Sequence, residues 1–235
     1  MRVKELGPHL TQITKWPVVF PINCYVVQEE DGLTLVDSTI SSPAVGVAAL
    51  VERLGKQLRR VALTHAHGDH VGGVAGIRQM FPGVEISISE REGRLLAGDT
   101  TLLPAEPQTA VKGSFGKVDW KPDRLFKPGD RIGSLEVIAS PGHTPGHVAF
   151  FDVRDKALIV GDAFQTRGGV AVAGELRLLF PAVAMATWNK PAALASAITL
   201  RALNPSLLAT GHGEALSEPP ATMDRAIESA RRTFG

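Results

Sequence analysis

The sequence predicts an α/β protein in which helices pack against β-sheets. Its first half alternates short apolar runs with segments whose apolar residues recur at helical spacing, and these two periodicities predict strands and helices. Its second half is richer in strand-like runs and carries two more helix-like segments. The halves are similar in size, so we expect one domain over 1–235, built from two pseudo-symmetric halves that share a core and meet near 115–125.

Five strands and two helices are predicted in the first half. The strands are 9–14, 18–28, 33–36, 61–63 and 84–88. The first helix is predicted from apolar residues at helical spacing that end before Gly55. A serine at Ser41 or Ser42 would cap this helix, with Pro43 in its first turn. The second helix covers 71–80 and is stopped by Pro82 and Gly83.

The segment 97–124 differs from its surroundings because it is rich in proline and glycine and has little periodicity. A loop of this length in a compact domain is usually functional or mobile. Two interpretations remain open, a flap near an active site and a plain surface excursion.

The second half contains five predicted strands, 124–127, 134–139, 147–152, 157–160 and 207–209. Asn189 is predicted to cap a helix that continues to Asn204, and Pro220 opens a last helix that ends near Arg232. Between them, 164–188 is strongly apolar. It could line an acyl pocket, cover the site, pack against a second subunit or belong to the ordinary core.

Composition excludes several classes of protein. The 235 residues are 44% hydrophobic and 21% charged, which is ordinary for a globular chain with one sizeable core. The net charge of +1 gives no broad field for nucleic acid or an anionic membrane. Cys24 is the only cysteine, so no internal disulfide is possible, and its apolar neighbours predict a small buried core residue. The first five residues lack the apolar core of a signal peptide, so we expect a cytoplasmic protein. The longest apolar region, 170–188, is interrupted by Glu175, Arg177 and Pro181, so we expect no membrane span.

The main candidate site is the stretch from Thr64 to His70, which holds three histidines and one carboxylate after a buried strand. Imidazole and carboxylate together suit zinc or another first-row divalent ion. Their spacing lets His65 and His67 point the same way, while Asp69 and His70 can face a second ion. The alternative is a polar loop that happens to contain histidines.

Three more candidates stand at predicted strand ends in the second half. His143 follows 134–139, Asp162 follows 157–160, and His212 follows 207–209, each beside a glycine. Taken singly, they have structural explanations as a turn residue, a cap and a surface histidine. Together with the first cluster, they lie where a rigid sheet could hold a precise site.

This order of motifs, His65-x-His67-x-Asp69-His70 followed by His143, Asp162 and His212, resembles the metallo-β-lactamase superfamily. The resemblance covers nearly the whole chain, from Asp37 to His212. It implies a four-layer αββα sandwich with metal ions in a cleft at one edge of the two sheets. It also implies that Asp37 braces the metal loop without binding metal. The plain alternative for Asp37 is a residue that forms the turn at a strand end.

The resemblance further implies a ligand set for two divalent ions: His65, His67 and His143 for one ion, Asp69, His70 and His212 for the second, and Asp162 as the bridge. Two ions about 3.5–4 Å apart can bridge one water and form hydroxide, which would attack a carbonyl. Asp69 and Asp162 would act catalytically by balancing charge and relaying a proton. Zinc is expected, and iron and manganese are compatible with the same ligands.

We therefore expect a dinuclear metal-dependent hydrolase that cleaves an ester, thioester or lactone of a small-molecule substrate. Alternatives are a phosphodiesterase with the same site, a β-lactamase and a non-catalytic metal-binding sensor. The carboxylate at Asp162 is similar to the glyoxalase II-like and lactonase-like branches, since true β-lactamases carry cysteine or serine there. The segment after His212 is too short for the C-terminal helical domain of glyoxalase II, so we do not expect that domain. The loop after Asp162 also lacks the tyrosine that the well-known lactonases have there.

Two further expectations concern partners and specificity. A homodimer is possible through the apolar segment, whereas nucleic acid and membranes are not expected as partners. Arg167 lies five residues beyond Asp162, where it could bind a substrate carboxylate or remain a solvated loop charge.

Overall fold

A computed structural model describes residues 1–41, 43–116 and 118–234. Its strands form a seven-stranded sheet, a six-stranded sheet and a small two-stranded sheet. Within these ranges, no helix combines the length and the apolar character needed to cross a membrane.

The first sheet contains seven strands in chain order: β1 (Arg2–Glu5), β2 (Leu10–Lys15), β3 (Ile22–Gln28), β4 (Leu33–Val36), β5 (Leu58–Leu63), β6 (Glu85–Ser89) and β7 (Arg124–Phe126). Strands β1 to β4 pair antiparallel, and β4 to β7 pair parallel. The carboxyl ends of these parallel strands therefore meet at one edge of the sheet, where ligand sites of α/β proteins usually lie.

The remaining strands are β8 (Arg131–Ile132), β9 (Leu135–Ala139), β10 (Val148–Asp152), β11 (Ala157–Ile159), β12 (Phe164–Gln165), β13 (Ala171–Val172), β14 (Leu207–Ala209) and β15 (Leu216–Ser217). The second sheet has the order β15-β14-β11-β10-β9-β8, and β12 pairs only with β13. Because β11 and β14 are parallel, their carboxyl ends also lie side by side.

The helices are α1 (Ala44–Leu54), α2 (Gly68–Val71), α3 (Val74–Met80), α4 (Glu90–Leu96), α5 (Ala182–Ala186), α6 (Lys190–Ala202) and α7 (Pro220–Phe234). The predicted cap of α6 is confirmed, since the Asn189 side chain accepts a hydrogen bond from the Ala192 N–H. The serine cap of α1 stays a prediction, because Ser42 lies outside the described residues; Pro43 takes the position directly before the helix.

The single helix predicted over 71–80 is two helices, α2 and α3, separated by Gly72 and Gly73. The Gly73 N–H donates to the Thr39 carbonyl and to the Ser38 hydroxyl instead of continuing the helical ladder. A Cβ on Gly73 would lie only 2.0 Å from the Ser38 carbonyl oxygen. The break therefore comes from close packing against the turn that follows β4.

Alternating side chains along the strands create separate apolar cores on the two faces of each sheet. In β3, Cys24 and Val26 face a core shared with α1, α3 and α4, whereas Tyr25 and Val27 face the second sheet. A third core lies between the second sheet and α6 and α7. Three cores between successive layers make a four-layer αββα sandwich, so the expected fold is confirmed.

Two predicted segments differ in detail. The strand predicted over 18–28 begins only at Ile22, because 16–20 forms a turn in which the Phe20 N–H donates to the Trp16 carbonyl. The segment 164–188 contains β12, β13 and α5, and its residues divide between the core and the surface. Its buried apolar residues are Phe164, Val172, Phe180, Val183 and Trp188, and its exposed ones are Leu176, Leu178, Leu179 and Met185.

Candidate metal centre

The seven residues that the sequence suggested as ligands lie at the same edge of the sandwich. His65 and His67 occupy the turn after β5, and the next helix, α2, carries Asp69 and His70 in its single turn. The other three come from the second sheet, where His143 lies between β9 and β10, Asp162 follows β11, and His212 follows β14. Both sheets thus contribute to one centre.

The ligand atoms of these residues form three groups in which all atoms lie within 4.8 Å of one another: His65, His67 and His143; His65, His70 and Asp162; and Asp69, His70 and His212. Asp162 lies between the first and third groups. Its Oδ2 is 3.4 Å from His143 Nε2 and 3.3 Å from His212 Nε2, and its Oδ1 is 3.4 Å from His70 Nε2. The structure therefore brings the expected residues together, with the carboxylate of Asp162 at the middle.

Hydrogen bonds on the outer side of the imidazole rings fix which nitrogen faces the centre. His70 Nδ1 donates to Asp37 Oδ2 at 2.8 Å, and His212 Nδ1 donates to the Pro21 carbonyl at 2.7 Å. His67 Nε2 donates to the Lys112 carbonyl at 3.0 Å. These bonds leave His70 Nε2, His212 Nε2 and His67 Nδ1 directed inward, the orientation that metal-binding histidines usually have.

A divalent cation fits this site because several inward atoms lack any other partner. His65 Nε2, His70 Nε2 and Asp162 Oδ1 are buried without a hydrogen bond. A buried polar atom without a partner costs free energy, and such atoms are rare unless an ion or water satisfies them. Imidazole nitrogen and carboxylate oxygen are suitable ligands for zinc, iron or manganese.

The pKa shifts of the candidate ligands also indicate a site for a cation. Burial, followed by the field of neighbouring histidines, lowers the pKa of His65 well below its ordinary value, and burial lowers that of His143 as well. For His212, burial opposes protonation, but the carboxylates of Asp162 and Asp69 outweigh it and raise the pKa to about 10. The carboxylates thus attract positive charge, and a metal cation can provide this charge in place of protons.

Asp37 braces the metal loop, as the resemblance implied. Its carboxylate accepts hydrogen bonds from the Thr64 N–H, from the Thr64 hydroxyl and from His70 Nδ1, all between 2.8 and 3.1 Å. It is not a member of any of the three groups of ligand atoms. Its φ of +60° places it in a left-handed turn, so the turn-forming role holds too.

The sequence did not identify three residues that support the site. Asn23 Nδ2 and the Tyr25 hydroxyl both donate to the Thr210 carbonyl and so hold the turn that carries His212. The sequence could have indicated both residues, because a polar residue inside a buried strand such as β3 needs a hydrogen-bond partner. The third residue is Glu92, whose buried carboxylate accepts from Ala66 N–H, and burial raises its pKa to about 7.

Three other expectations have clear outcomes. Part of the segment 97–124 packs on the centre, since the Ser114 carbonyl accepts from the Gly68 N–H and the Lys112 carbonyl accepts from His67. Arg167 Nη2 donates to the Val18 carbonyl and so holds the neighbouring 16–20 turn. Cys24 is fully buried, as predicted.

An apolar cavity of about 520 Å³ lies beside the centre. The Phe20 and Phe180 rings in its wall are 5.7 Å and 4.8 Å from the His212 ring. Its other described lining residues are also apolar or glycine: Val19, Gly113, Leu179, Pro181, Ala182, Met185 and Ala186. The side chain of Asp69 is 26% exposed and is the most accessible of the seven candidate ligands.

Comparisons with known proteins agree with this geometry. The family model described as the metallo-beta-lactamase superfamily matches residues 17–212. The chain is 48% identical over 222 residues to Uncharacterized protein YobT of Bacillus subtilis, covering 94% of this chain and 95% of that protein. It is 31% identical over 158 residues to Hydroxyacylglutathione hydrolase GloC of Haemophilus influenzae, covering 64% and 70% of the two chains.

The crystal structure of TTHA1623 in a di-iron-bound form is similar with a TM-score of 0.62 and 27% identity, covering 89% of this chain and 95% of that one. The chain therefore belongs to the metallo-β-lactamase superfamily, which includes metal-dependent hydrolases.

Proposed function

We propose that this chain hydrolyses an ester, thioester or lactone of a small organic acid with two divalent metal ions. The observation that carries the proposal is the convergence of seven histidine and aspartate side chains at the sheet edge, three of which have a buried atom without a partner there. Zinc is the first candidate because the donors are imidazole nitrogens and carboxylate oxygens. The likeness to a di-iron-bound structure keeps iron as a second candidate.

In this proposal the two ions have separate ligands and one shared ligand. His65, His67 and His143 would hold the first ion, and Asp69, His70 and His212 would hold the second. Asp162 could serve both groups, since its two oxygens are directed at histidines of both. When bound, such cations supply Lewis acidity toward a carbonyl oxygen and lower the pKa of bound water toward neutrality.

The carboxylates of the chain then have different tasks. Asp162 is buried, and its backbone N–H donates to His147 Nε2, so it is held in place as a fixed negative charge. Asp69 is partly exposed, with Oδ2 3.3 Å from His212 Nε2. With Oδ2 directed at the second group of ligands, Asp69 could pass a proton through its other oxygen, Oδ1, to a leaving group that enters from the open side.

The cavity beside the centre favours a carbonyl substrate with an apolar acyl group over a phosphodiester. No charged side chain is found among the described residues that line it. A phosphodiester would gain from arginine or lysine next to its anionic non-bridging oxygens, whereas an acyl chain would bury apolar surface against Phe20 and Phe180.

The first test is metal content by elemental analysis, paired with a panel of lactones, thioesters, oxoesters of increasing acyl length, phosphodiesters and a β-lactam. We expect about two ions per chain and turnover of carbonyl esters or thioesters that improves with acyl length. Turnover of phosphodiesters alone would replace the proposal with a phosphodiesterase. Bound metal without any turnover would favour a sensor and contradict the proposal.

The second test removes one candidate ligand. His67→Ala should lower bound metal and reduce kcat/KM by about a thousandfold or more, because the remaining side chains cannot hold the first ion in place. His9→Ala is the matched control, since His9 lies before β2, far along the chain from the ligand turns. Near-normal turnover and metal content in His67→Ala would contradict the ligand assignment.

A further inference from the structure

Glu92 is a buried carboxylate in the first turn of α4 with no assigned role in the reaction. Ser89 caps this helix, and its hydroxyl accepts a hydrogen bond from the Glu92 N–H. A serine followed three residues later by glutamate is the order of a capping box, in which the glutamate turns back to the N–H of the cap. Here the carboxylate instead points into the protein interior.

The two oxygens of Glu92 contact two different loops of the metal centre. Oε2 accepts from the Ala66 N–H at 2.8 Å, and Ala66 lies between His65 and His67. Oε1 accepts from the Thr144 hydroxyl at 2.7 Å and from the Gly146 N–H at 2.8 Å. Thr144 directly follows His143 in the chain.

We propose that Glu92 is a positioning residue that sets the distance between the loop carrying His65 and His67 and the loop carrying His143. These three histidines are the ones assigned to the first metal ion, so the inference rests on that part of the proposed function. Residues that orient metal ligands through such contacts contribute strongly to metal affinity.

A carboxylate is required for this contact, because the Ala66 N–H on one oxygen and the Gly146 N–H on the other can only donate. A glutamine would offer its oxygen to one loop and its NH₂ group to the other. The NH₂ group would then face N–H or O–H donors, leaving a buried donor unsatisfied and pushing the loops apart.

The test is Glu92→Gln compared with Glu29→Gln. Glu29 is a suitable control because it is also buried and accepts from the Ser134 N–H and the Ser134 hydroxyl at 3.1 Å, at the turn after β3 and away from the ligand turns. The measurements are zinc affinity by competition with a chelator, the visible absorption of the cobalt-loaded protein and thermal stability.

We expect Glu92→Gln to weaken binding of the zinc ion assigned to His65, His67 and His143 by about 10- to 100-fold and to change the cobalt spectrum. Glu29→Gln should lower thermal stability while leaving affinity and spectrum as in the unmodified chain. If Glu92→Gln does not fold, Thr144→Val removes one donor with little change in shape and should give a smaller loss of affinity.

Unchanged zinc affinity and an unchanged cobalt spectrum in Glu92→Gln would overturn the inference. An equal loss of affinity in both variants would do the same, because it would reflect general destabilisation. Because these measurements do not depend on turnover, they test the role of Glu92 even if the chain hydrolyses no substrate. Normal metal binding without any hydrolysis would contradict the proposed function alone.

Discussion

At the scale of single residues, the centre depends on side chains that select one nitrogen of each imidazole. Asp37 shows the principle, because its Oδ2 binds the Nδ1–H of His70 and leaves Nε2 free to face the centre. The same carboxylate holds the Thr64 N–H at the start of the metal loop. One buried residue thus fixes both the tautomer of a candidate ligand and the backbone beside it.

Asp37→Asn should therefore lower metal affinity and kcat by about 10- to 100-fold. An amide can accept from Thr64 but then presents NH₂ to His70 Nδ1, which favours the tautomer with its proton on Nε2. Elemental analysis and steady-state kinetics provide the measurements. Asp31→Asn is the control, since Asp31 is an exposed carboxylate paired with Arg60, and equal behaviour of the two variants would contradict this role for Asp37.

At the scale of elements, the long segment between α4 and β7 acts as part of the site despite lacking helix or strand in its described residues. The carbonyls of Lys112 and Ser114 accept hydrogen bonds from His67 and from the Gly68 N–H. Earlier in the same segment, the Thr109 carbonyl accepts a hydrogen bond from Trp188 Nε1. The segment is therefore tied both to the metal turn and to the second half of the chain.

Gly113 allows this close approach, and its substitution should disturb the site specifically. Its φ is +97°, and a Cβ would lie 1.9 Å from His67 Nε2. Gly113→Ala should displace the segment and lower kcat/KM by about tenfold or more, because His67 loses its carbonyl partner.

Gly98→Ala is the matched control for that substitution. Gly98 has a similar φ of +87° but open space where a Cβ would be. Both variants carry the backbone cost of about 1 kcal/mol for a side chain at positive φ, and only Gly113→Ala adds the clash with His67. Equal kcat/KM values in the two variants would contradict the role of Gly113 in allowing the segment to approach His67.

At the scale of the whole molecule, the centre lies at the junction of the two sheets. The Val148 N–H of the second sheet donates to the Thr64 carbonyl, and the Tyr25 hydroxyl of the first sheet donates to the Thr210 carbonyl. Candidate ligands come from both sheets. A bound ion would therefore connect the two halves as well as serve the reaction.

Removal of metal should lower the thermal stability of the entire chain. A ligand that binds only the folded state stabilises it by about 2.7 kcal/mol when its free concentration is 100 times Kd. Melting temperatures measured over a series of buffered zinc concentrations should rise steadily with the logarithm of free zinc. The slope should be smaller for His67→Ala, and a melting temperature independent of zinc in the unmodified chain would contradict a site that joins the halves.

Several features were determined by local sequence alone. Apolar runs predicted β4 and the last three residues of β5, and Asn189 marked the start of α6. The histidine turn and the three strand-end motifs located the centre, because parallel strands end at one edge and each motif directly follows or connects strands of the sandwich. These patterns involve residues close together in the chain, so they can be recognised without knowledge of the packing.

Other features were decided only by the tertiary structure. The short strands β12 and β13 have too few residues for a periodicity. The Lys112 carbonyl contacts His67, but every residue has a carbonyl, so no side-chain pattern could identify it. Glu92 has the sequence of an ordinary capping box, and only packing between two distant loops turns its carboxylate inward. Residue types and strand ends specify which groups can bind metal, whereas their orientation depends on contacts between segments far apart in the chain.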